Sequence, residues 1–202
     1  MFYKGAFAFI KGVIYLINGK PIVENKDKLP EGNYILAGPH RTWWDPLVFA
    51  IAAEPKEFTF MAKKELFSNR LFAWVLDKVN VFPVDRDNPG PSAIKRPVKA
   101  LKNSDLSLIM FPSGTRHSDD MKGGIALIAK MAKVPIVPVV YEGPLTMKDV
   151  FKRRKMTVRF GDPIDTSDVK KIDEAGIHEV EQRMVNAFNQ LYSSKEKAIE
   201  NK

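Results

Sequence analysis

The chain has 202 residues, of which 45% are hydrophobic and 28% are charged, a composition typical of one globular domain with a sizeable core. It contains no cysteine, which excludes disulfides, thiolate metal ligands and a cysteine nucleophile. The formal net charge of +8 favours an anionic partner such as nucleic acid, an acidic membrane surface or a phosphorylated substrate, although a generically basic protein has the same charge.

The first segment, residues 1–18, predicts a helix that lies at a membrane interface. Lys4, Lys11 and Asn18 share one narrow helical face, and apolar side chains fill the rest. The uninterrupted apolar runs are far shorter than the ~20 residues that a spanning helix needs, and no cleavage site for a signal peptide follows. The lysines would reach lipid phosphates while the apolar side chains enter the bilayer surface. A helix buried in the core or between two copies of the chain is the alternative.

Strand-like and helical segments then alternate along residues 19–192, which predicts one α/β domain with a mixed, mostly parallel sheet flanked by helices. Short apolar runs predict strands at 21–23, 34–37, 58–62, 81–84, 106–111, 134–140 and 156–160. Helical spacing predicts helices at 46–53, 65–78, 92–102 and 124–131 and a closing helix that carries Ile177 to Leu191.

Prolines refine this prediction. Pro97 is expected to kink the helix at 92–102 or to mark its true start. Pro135 and Pro138 place their strand at an edge of the sheet, because proline cannot donate to a ladder. Residues 193–202 are expected to form a flexible tail.

His40 and Asp45, separated by four residues, follow the strand predicted at 34–37. Histidine is the side chain best suited to move a proton near neutral pH, and a carboxylate at its other ring nitrogen would fix the tautomer and stabilise the protonated form. Asp45 and Pro46 also predict a helix N-cap followed by proline at the first helical position. On spacing alone, a capping aspartate beside a structural histidine is the simpler interpretation, and three further segments change that balance.

The second segment ends in Arg86, directly after the strand predicted at 81–84. Ligand contacts in α/β folds commonly follow strands, and an arginine can grip a phosphate through two hydrogen bonds. Taken alone, a surface salt bridge of Arg86 with Asp85 or Asp87 is the simpler interpretation.

The third segment, residues 111–116, places Gly114 in a loop after a strand, where backbone N–H groups can approach an anion, and Arg116 adds a fixed charge. An ordinary turn with a solvated arginine is the alternative. The fourth segment, residues 134–139, is apolar and contains two prolines. It would line a slot for an acyl chain or, taken alone, form a core strand.

Together and in this order, the four segments resemble the glycerolipid acyltransferase family, specifically its bacterial 1-acyl-glycerol-3-phosphate acyltransferases. The resemblance covers about residues 34–164. The family's HxxxxD motif and its three later blocks match residues 40–45, 81–86, 111–116 and 134–138 in turn. Two positions depart from the family pattern, because Ser113 stands where a glutamate is usual and His117 stands where a serine is frequent. The departure at Ser113 leaves the identity of the acceptor open.

The resemblance implies transfer of a fatty acyl group from a thioester of acyl carrier protein or coenzyme A to the sn-2 hydroxyl of 1-acyl-glycerol-3-phosphate, which gives phosphatidic acid. His40 would be the general base and Asp45 would orient it. The residues implied in binding the substrate are Arg86 and Arg116 on the acceptor phosphate, Lys63 as a helper, and Ser113, Gly114 and Thr115 in the loop. No metal or other cofactor is implied beyond the thioester co-substrate.

The same resemblance implies a peripheral enzyme of phospholipid biosynthesis on the cytoplasmic face of a bacterial membrane. Its partners would be anionic lipids and the acyl donor. No nucleic-acid partner is expected, because no nucleic-acid motif is present. The alternatives are an acyltransferase for glycerol-3-phosphate or another lysophospholipid, a Ser113-dependent thioesterase without the usual Gly-x-Ser-x-Gly elbow, and a membrane-binding protein without catalysis.

Overall fold

A central sheet organises the chain. The computed structural model describes residues 2–86, 88–112 and 123–192, and the tail predicted at 193–202 lies outside them. The strands of the described residues are Ile22–Glu24 (β1), Ile35–Ala37 (β2), Phe58–Lys63 (β3), Val81–Val84 (β4), Ser107–Met110 (β5), Ile136–Glu142 (β6) and Thr157–Phe160 (β7). They form one sheet in the order β1-β7-β6-β2-β5-β3-β4. Every neighbouring pair is parallel except β6 and β7, which confirms the predicted mixed, mostly parallel sheet.

The α-helices of the described residues alternate with these strands. They are Phe2–Asn18 (α1), Asp45–Ala52 (α2), Arg70–Lys78 (α3), Ser92–Asn103 (α4), Gly124–Ala132 (α5), Met147–Phe151 (α6) and Glu174–Leu191 (α7). Short 3₁₀ turns occupy Lys26–Lys28 and Lys64–Phe67. The helix α4 runs through Pro97, so this proline does not mark the start of the helix. The short helix α6 was not predicted.

The helix predicted at 65–78 is instead two elements, the 3₁₀ turn and α3. Asn69 separates them, because its backbone is extended and its side chain accepts hydrogen bonds from the backbone N–H groups of Leu71 and Phe72. Asn69 is therefore the N-cap of α3, and its extended backbone prevents one continuous helix.

Two helical layers cover the sheet. Successive residues of a strand point to opposite faces, and accordingly Leu36 packs in one core cluster while Ile35 and Ala37 pack in the other. Side chains of α1 and α2 fill the first cluster, and side chains of α4, α5 and α7 fill the second. The helices α1 and α4 therefore lie on opposite faces of the sheet.

The prediction that the strand with Pro135 and Pro138 lies at an edge is wrong. The strand β6 lies inside the sheet, parallel to β2 and antiparallel to β7, and its residues from Ile136 to Tyr141 are buried. Pro138 is tolerated because it sits opposite the turn that follows β7, where Gly161 donates to its carbonyl at 2.8 Å and the regular ladder has ended. Because residue 161, opposite Pro138, no longer belongs to β7, the missing N–H of the proline removes no hydrogen bond between β6 and β7.

The inner side of α1 packs on the domain. Tyr3 stacks on Phe7, and Phe7 lies over Phe60, with ring centroids 4.4 and 6.1 Å apart respectively. The hydroxyl oxygen of Tyr3 accepts a hydrogen bond from the backbone N–H of Phe58 at 3.1 Å, and burial raises the pKa of Tyr3 to about 12. The helix predicted at residues 1–18 is therefore present and is fixed to β3.

The lysines of α1 contact protein carboxylates. Lys11 lies 2.6 Å from Glu54, and Lys4 lies 3.6 Å from Glu57, both on the segment between α2 and β3. The outer side of the helix is apolar and exposed, and its large members are Phe2, Phe9, Val13 and Leu16. No helix of the described residues combines the length and the apolarity that crossing a bilayer requires.

Candidate active site

The turn that carries His40 leaves β2, the middle strand of the seven, at the carboxyl edge of the sheet. Gly38 makes this path possible, since a Cβ at that position would collide with the carbonyl oxygen of Val139 and come within 3.0 Å of the Phe49 ring. The backbone therefore crosses β6 closely before it reaches His40. Ligands of open α/β sheets bind at this edge.

The structure brings His40 and Asp45 together. Nδ1 of His40 lies 3.3 Å from Oδ2 of Asp45, and the Asp45 side chain is only 1% exposed. The same carboxylate accepts hydrogen bonds from the backbone N–H groups of Arg41 and Thr42, each at 2.7 Å, and from the Thr42 hydroxyl. The turn thus holds the carboxylate in place, and the carboxylate orients the ring. This arrangement leaves Nε2 as the nitrogen that can take a substrate proton.

The prediction that Asp45 caps α2 is wrong by one position. Trp44 occupies the N-cap, Asp45 is the first helical residue, and its carboxylate turns back to the amides of residues 41 and 42. Those amides belong to the tight turn that joins His40 to the helix. The hydrogen-bonding capacity of Asp45 therefore serves the turn and the histidine, and not the helix end.

Aromatic side chains surround the pair. The ring of His40 stacks on Phe111, with centroids 4.0 Å apart and planes inclined by 24°. Phe49 also stacks on Phe111, with ring centroids 6.1 Å apart. Tyr141 is buried nearby and donates to the carbonyl of Pro144 at 3.1 Å. Burial raises the pKa of Tyr141 far above its ordinary value, so the phenol is neutral at physiological pH. Neither Phe111 nor Tyr141 was predicted from the sequence as a site residue, although Phe111 begins the third segment and directly follows the strand beside β2.

Lys63 and Arg86 lie farther along the same edge. Lys63 ends β3 and pairs in register with Val84, the last residue of β4, two positions before Arg86. The strands β2 and β4 are three steps apart in the sheet, which corresponds to roughly 14 Å. A substrate that bridges His40 and Arg86 must therefore span part of this edge, and the long arginine side chain can cover the rest.

An apolar cavity of about 280 Å³ opens between these groups. Its walls come from the ends of β3, β4 and β5 and from the first turn of α4, and its main lining residues are Met61, Val84, Arg86, Ile94, Met110 and Phe111. Phe111 contacts both the cavity and the His40 ring. The segment 134–139, considered from sequence as a slot for an acyl chain, is instead a core strand and lines none of this cavity.

The remaining predicted site residues, Ser113, Gly114, Thr115 and Arg116, lie outside the described residues, as does His117. Among the residues that the structure does describe, no group of three or more histidine, aspartate or glutamate side chains is placed to hold a metal ion. The part of the site that can be built from described residues is therefore the His40–Asp45 pair, the apolar cavity, Arg86 and Lys63.

Comparisons with known proteins identify the family of the chain. Residues 20–142 match the acyltransferase family model. The chain is 53% identical to the 1-acyl-sn-glycerol-3-phosphate acyltransferase of Streptococcus pneumoniae, over 95% of this chain and 73% of that protein. It is 38% identical to the Bacillus subtilis protein of the same name, over 94% of this chain and 93% of that protein.

A solved structure extends the comparison to the fold. The crystal structure of the 1-acyl-sn-glycerophosphate acyltransferase from Thermotoga maritima superposes with a TM-score of 0.68, covers 95% of this chain and 80% of that chain, and is 21% identical in sequence. At this identity the likeness shows the fold. The family model, the two bacterial relatives and the shared fold together show that the chain belongs to the acyltransferase family and is an acyl-transferring enzyme.

Proposed function

We propose that this enzyme transfers a fatty acyl group from a thioester to the sn-2 hydroxyl of 1-acyl-glycerol-3-phosphate, which gives phosphatidic acid. The observation that carries the proposal is the buried Asp45 carboxylate, held by the turn and directed at Nδ1 of His40 beside an apolar cavity. The names of the bacterial relatives support this choice of acceptor.

The chemistry follows from the proton that must move. Nε2 of His40 accepts the proton of the acceptor hydroxyl while its oxygen attacks the thioester carbonyl carbon. The new C–O bond forms, the tetrahedral intermediate collapses, and the C–S bond breaks. The imidazolium of His40 then returns the proton to the departing thiolate. Asp45 stabilises the imidazolium between these two events, which is the role of a carboxylate at Nδ1.

The cavity suits the apolar part of the reaction. Its walls are mostly aliphatic and aromatic, and Phe111 joins it to the histidine. A fatty acyl chain that enters the cavity loses its contact with water, which favours binding by roughly 0.8 kcal/mol for each buried methylene group. The acyl chain would therefore be held with its reactive carbonyl near Nε2 of His40.

Arg86 and Lys63 supply positive charge for the acceptor phosphate. Replacing Arg86 by alanine is expected to raise the KM for 1-acyl-glycerol-3-phosphate about 10- to 100-fold, because a charge-assisted hydrogen bond to the phosphate is lost. The KM for the thioester should change much less. Steady-state kinetics with each substrate varied in turn makes this comparison.

Two controls sharpen that measurement. Arg86→Lys keeps the charge but loses the paired hydrogen bonds, so its KM for the acceptor should lie between those of the wild type and Arg86→Ala. With 1-acylglycerol, an acceptor that lacks the phosphate, Arg86→Ala should have no effect. An equal rise in KM for acceptor and donor would remove Arg86 from the phosphate site.

We further propose that α1 rests on the bilayer surface, where both the acceptor and the product reside. Its outer face exposes Phe9 at 74% and Leu16 at 79%, and Phe2 at one end of this face meets the exposed Trp74 of α3 with ring centroids 5.5 Å apart. An exposed apolar helical face of this kind lies in the interface plane with its side chains in the acyl boundary. The packing of Tyr3 and Phe7 and the ion pair of Lys11 with Glu54 hold the helix to the domain.

The double substitution Phe9→Ser and Leu16→Ser is expected to weaken binding to phospholipid vesicles about 10-fold or more, because two large apolar groups no longer enter the lipid. Vesicle sedimentation measures this loss. Met131→Ser is the matched control, since Met131 is exposed on α5, on the other face of the sheet. Unchanged sedimentation of the double variant would contradict the placement of α1 on the bilayer.

A further inference from the structure

The outer face of α4 carries four basic side chains. The inner face buries Ala93, Pro97, Val98 and Leu101, while Lys95, Arg96, Lys99 and Lys102 are exposed. The helix contains no acidic residue. Within the described part of the chain, no salt bridge involves any of these four cations. The described part of the domain therefore forms no ion pair with this row of charge.

The basic face begins at the active site. Ala93 and Ile94, in the first turn of α4, line the apolar cavity together with Phe111, whose ring stacks on His40. From Lys95 to Lys102 the row extends about 10 Å along the helix, at 1.5 Å for each residue. A partner bound along this row would hold any group attached to it close to the cavity and the catalytic histidine.

A membrane does not fit this face. The exposed positions of α4 are polar or charged, whereas a helix that lies in a bilayer surface presents apolar side chains to the lipid. The apolar face of α1 lies on the opposite side of the sheet. If α1 rests on the bilayer, then α4 faces away from it, toward partners in solution.

The arrangement of the charges favours a macromolecule over a nucleotide. Four cations spread along two turns of a convex helix do not converge on one phosphate, but they can meet several carboxylates on a complementary surface. We propose that the outer face of α4 is the docking surface for a small acidic carrier protein that presents the fatty acyl group as a thioester. This inference rests on the proposed function, since it assigns the source of the acyl donor.

Charge reversal tests the docking surface directly. In the full-length Lys95→Glu, Lys99→Glu variant, binding of a fluorescently labelled palmitoyl thioester of acyl carrier protein should weaken about 10-fold or more in neutral detergent micelles, because attraction at two rim positions becomes repulsion. The Lys95→Gln, Lys99→Gln variant should show a smaller loss. The matched control is Lys152→Glu with Lys155→Glu, which makes the same change in net charge on exposed residues between α6 and β7 and should bind as the wild type does.

Kinetics with two donors separates the possible partners. In the Lys95→Glu, Lys99→Glu variant, kcat/KM with the carrier thioester should fall by about the same factor as carrier binding. Its kcat/KM with palmitoyl-coenzyme A should stay within twofold of the wild-type value. The proposal would be overturned if the variant lost activity equally with both donors, or if the Lys152→Glu, Lys155→Glu control lost as much. It would also be overturned if the α4 variant bound vesicles, and not the carrier, more weakly. Failure of the wild type to bind the carrier would overturn it as well. If the wild type makes no phosphatidic acid from either donor while carrier binding still depends on α4, the proposed reaction fails and the docking surface stands.

Discussion

Replacing His40 by alanine is expected to lower the rate of acyl transfer about 10²- to 10⁴-fold, which is the usual contribution of a positioned general base. The ring is the group through which the hydroxyl proton would leave the acceptor and reach the thiolate. The aromatic cluster of Phe49 and Phe111 remains in the variant, so both substrates should still bind. The loss should therefore appear in kcat, with KM values close to those of the wild type.

His178→Ala is the matched control for this prediction. His178 lies exposed on α7, which packs on the other face of the sheet, and its removal should leave acyl transfer unchanged. Circular dichroism on both variants verifies that the fold is retained. Activity of the folded His40→Ala variant within tenfold of the wild type would show that another group takes the proton.

The second large effect is expected for Asp45→Asn, which should lower kcat by about 10²-fold or more, up to the 10⁴-fold that the loss of such a carboxylate can cost. The asparagine side chain has the same size and can still accept from the backbone N–H groups of Arg41 and Thr42. It lacks the negative charge that, in the proposed mechanism, stabilises the imidazolium and fixes the His40 tautomer. The KM values should change little.

Thr42→Val separates this charge from the local hydrogen bonds. That variant removes the hydroxyl that donates to Asp45 but keeps the carboxylate and both backbone donors. We expect its kcat to fall much less than that of Asp45→Asn. If the two variants lose activity equally, or if Asp45→Asn retains the wild-type kcat, then Asp45 serves the architecture of the turn and not the chemistry of the histidine.

The sequence was sufficient for the alternation of strands and helices, because the apolar periods of 2 and 3.6 residues are local properties. It was also sufficient for the proximity of His40 and Asp45, since five positions along one turn cannot separate the two side chains widely. The edge prediction for β6 failed for a non-local reason. Whether the missing N–H of Pro138 matters depends on where β7 ends, and no feature within the strand itself carries that information.

Two other parts of the site depended on tertiary structure. The contact of Phe111 with the His40 ring arises because β5 lies beside β2, although some 70 residues separate them in the chain. The face of α1 that carries Lys4 and Lys11 is similar, because the sequence places both lysines on one face but does not identify their partners. Those partners, Glu54 and Glu57, follow α2 and meet the helix only in the folded domain.

Product analysis tests the central claim most directly. Purified protein in mixed micelles would receive an isotopically labelled acyl thioester and 1-acyl-glycerol-3-phosphate, and mass spectrometry would identify the labelled lipid. We predict phosphatidic acid with the label at the sn-2 position and free thiol in equal amount. Labelled free fatty acid formed at the same rate without any acceptor would contradict this account and indicate a thioesterase. In a parallel reaction with glycerol-3-phosphate as the acceptor, faster formation of labelled 1-acyl-glycerol-3-phosphate would contradict the proposed acceptor.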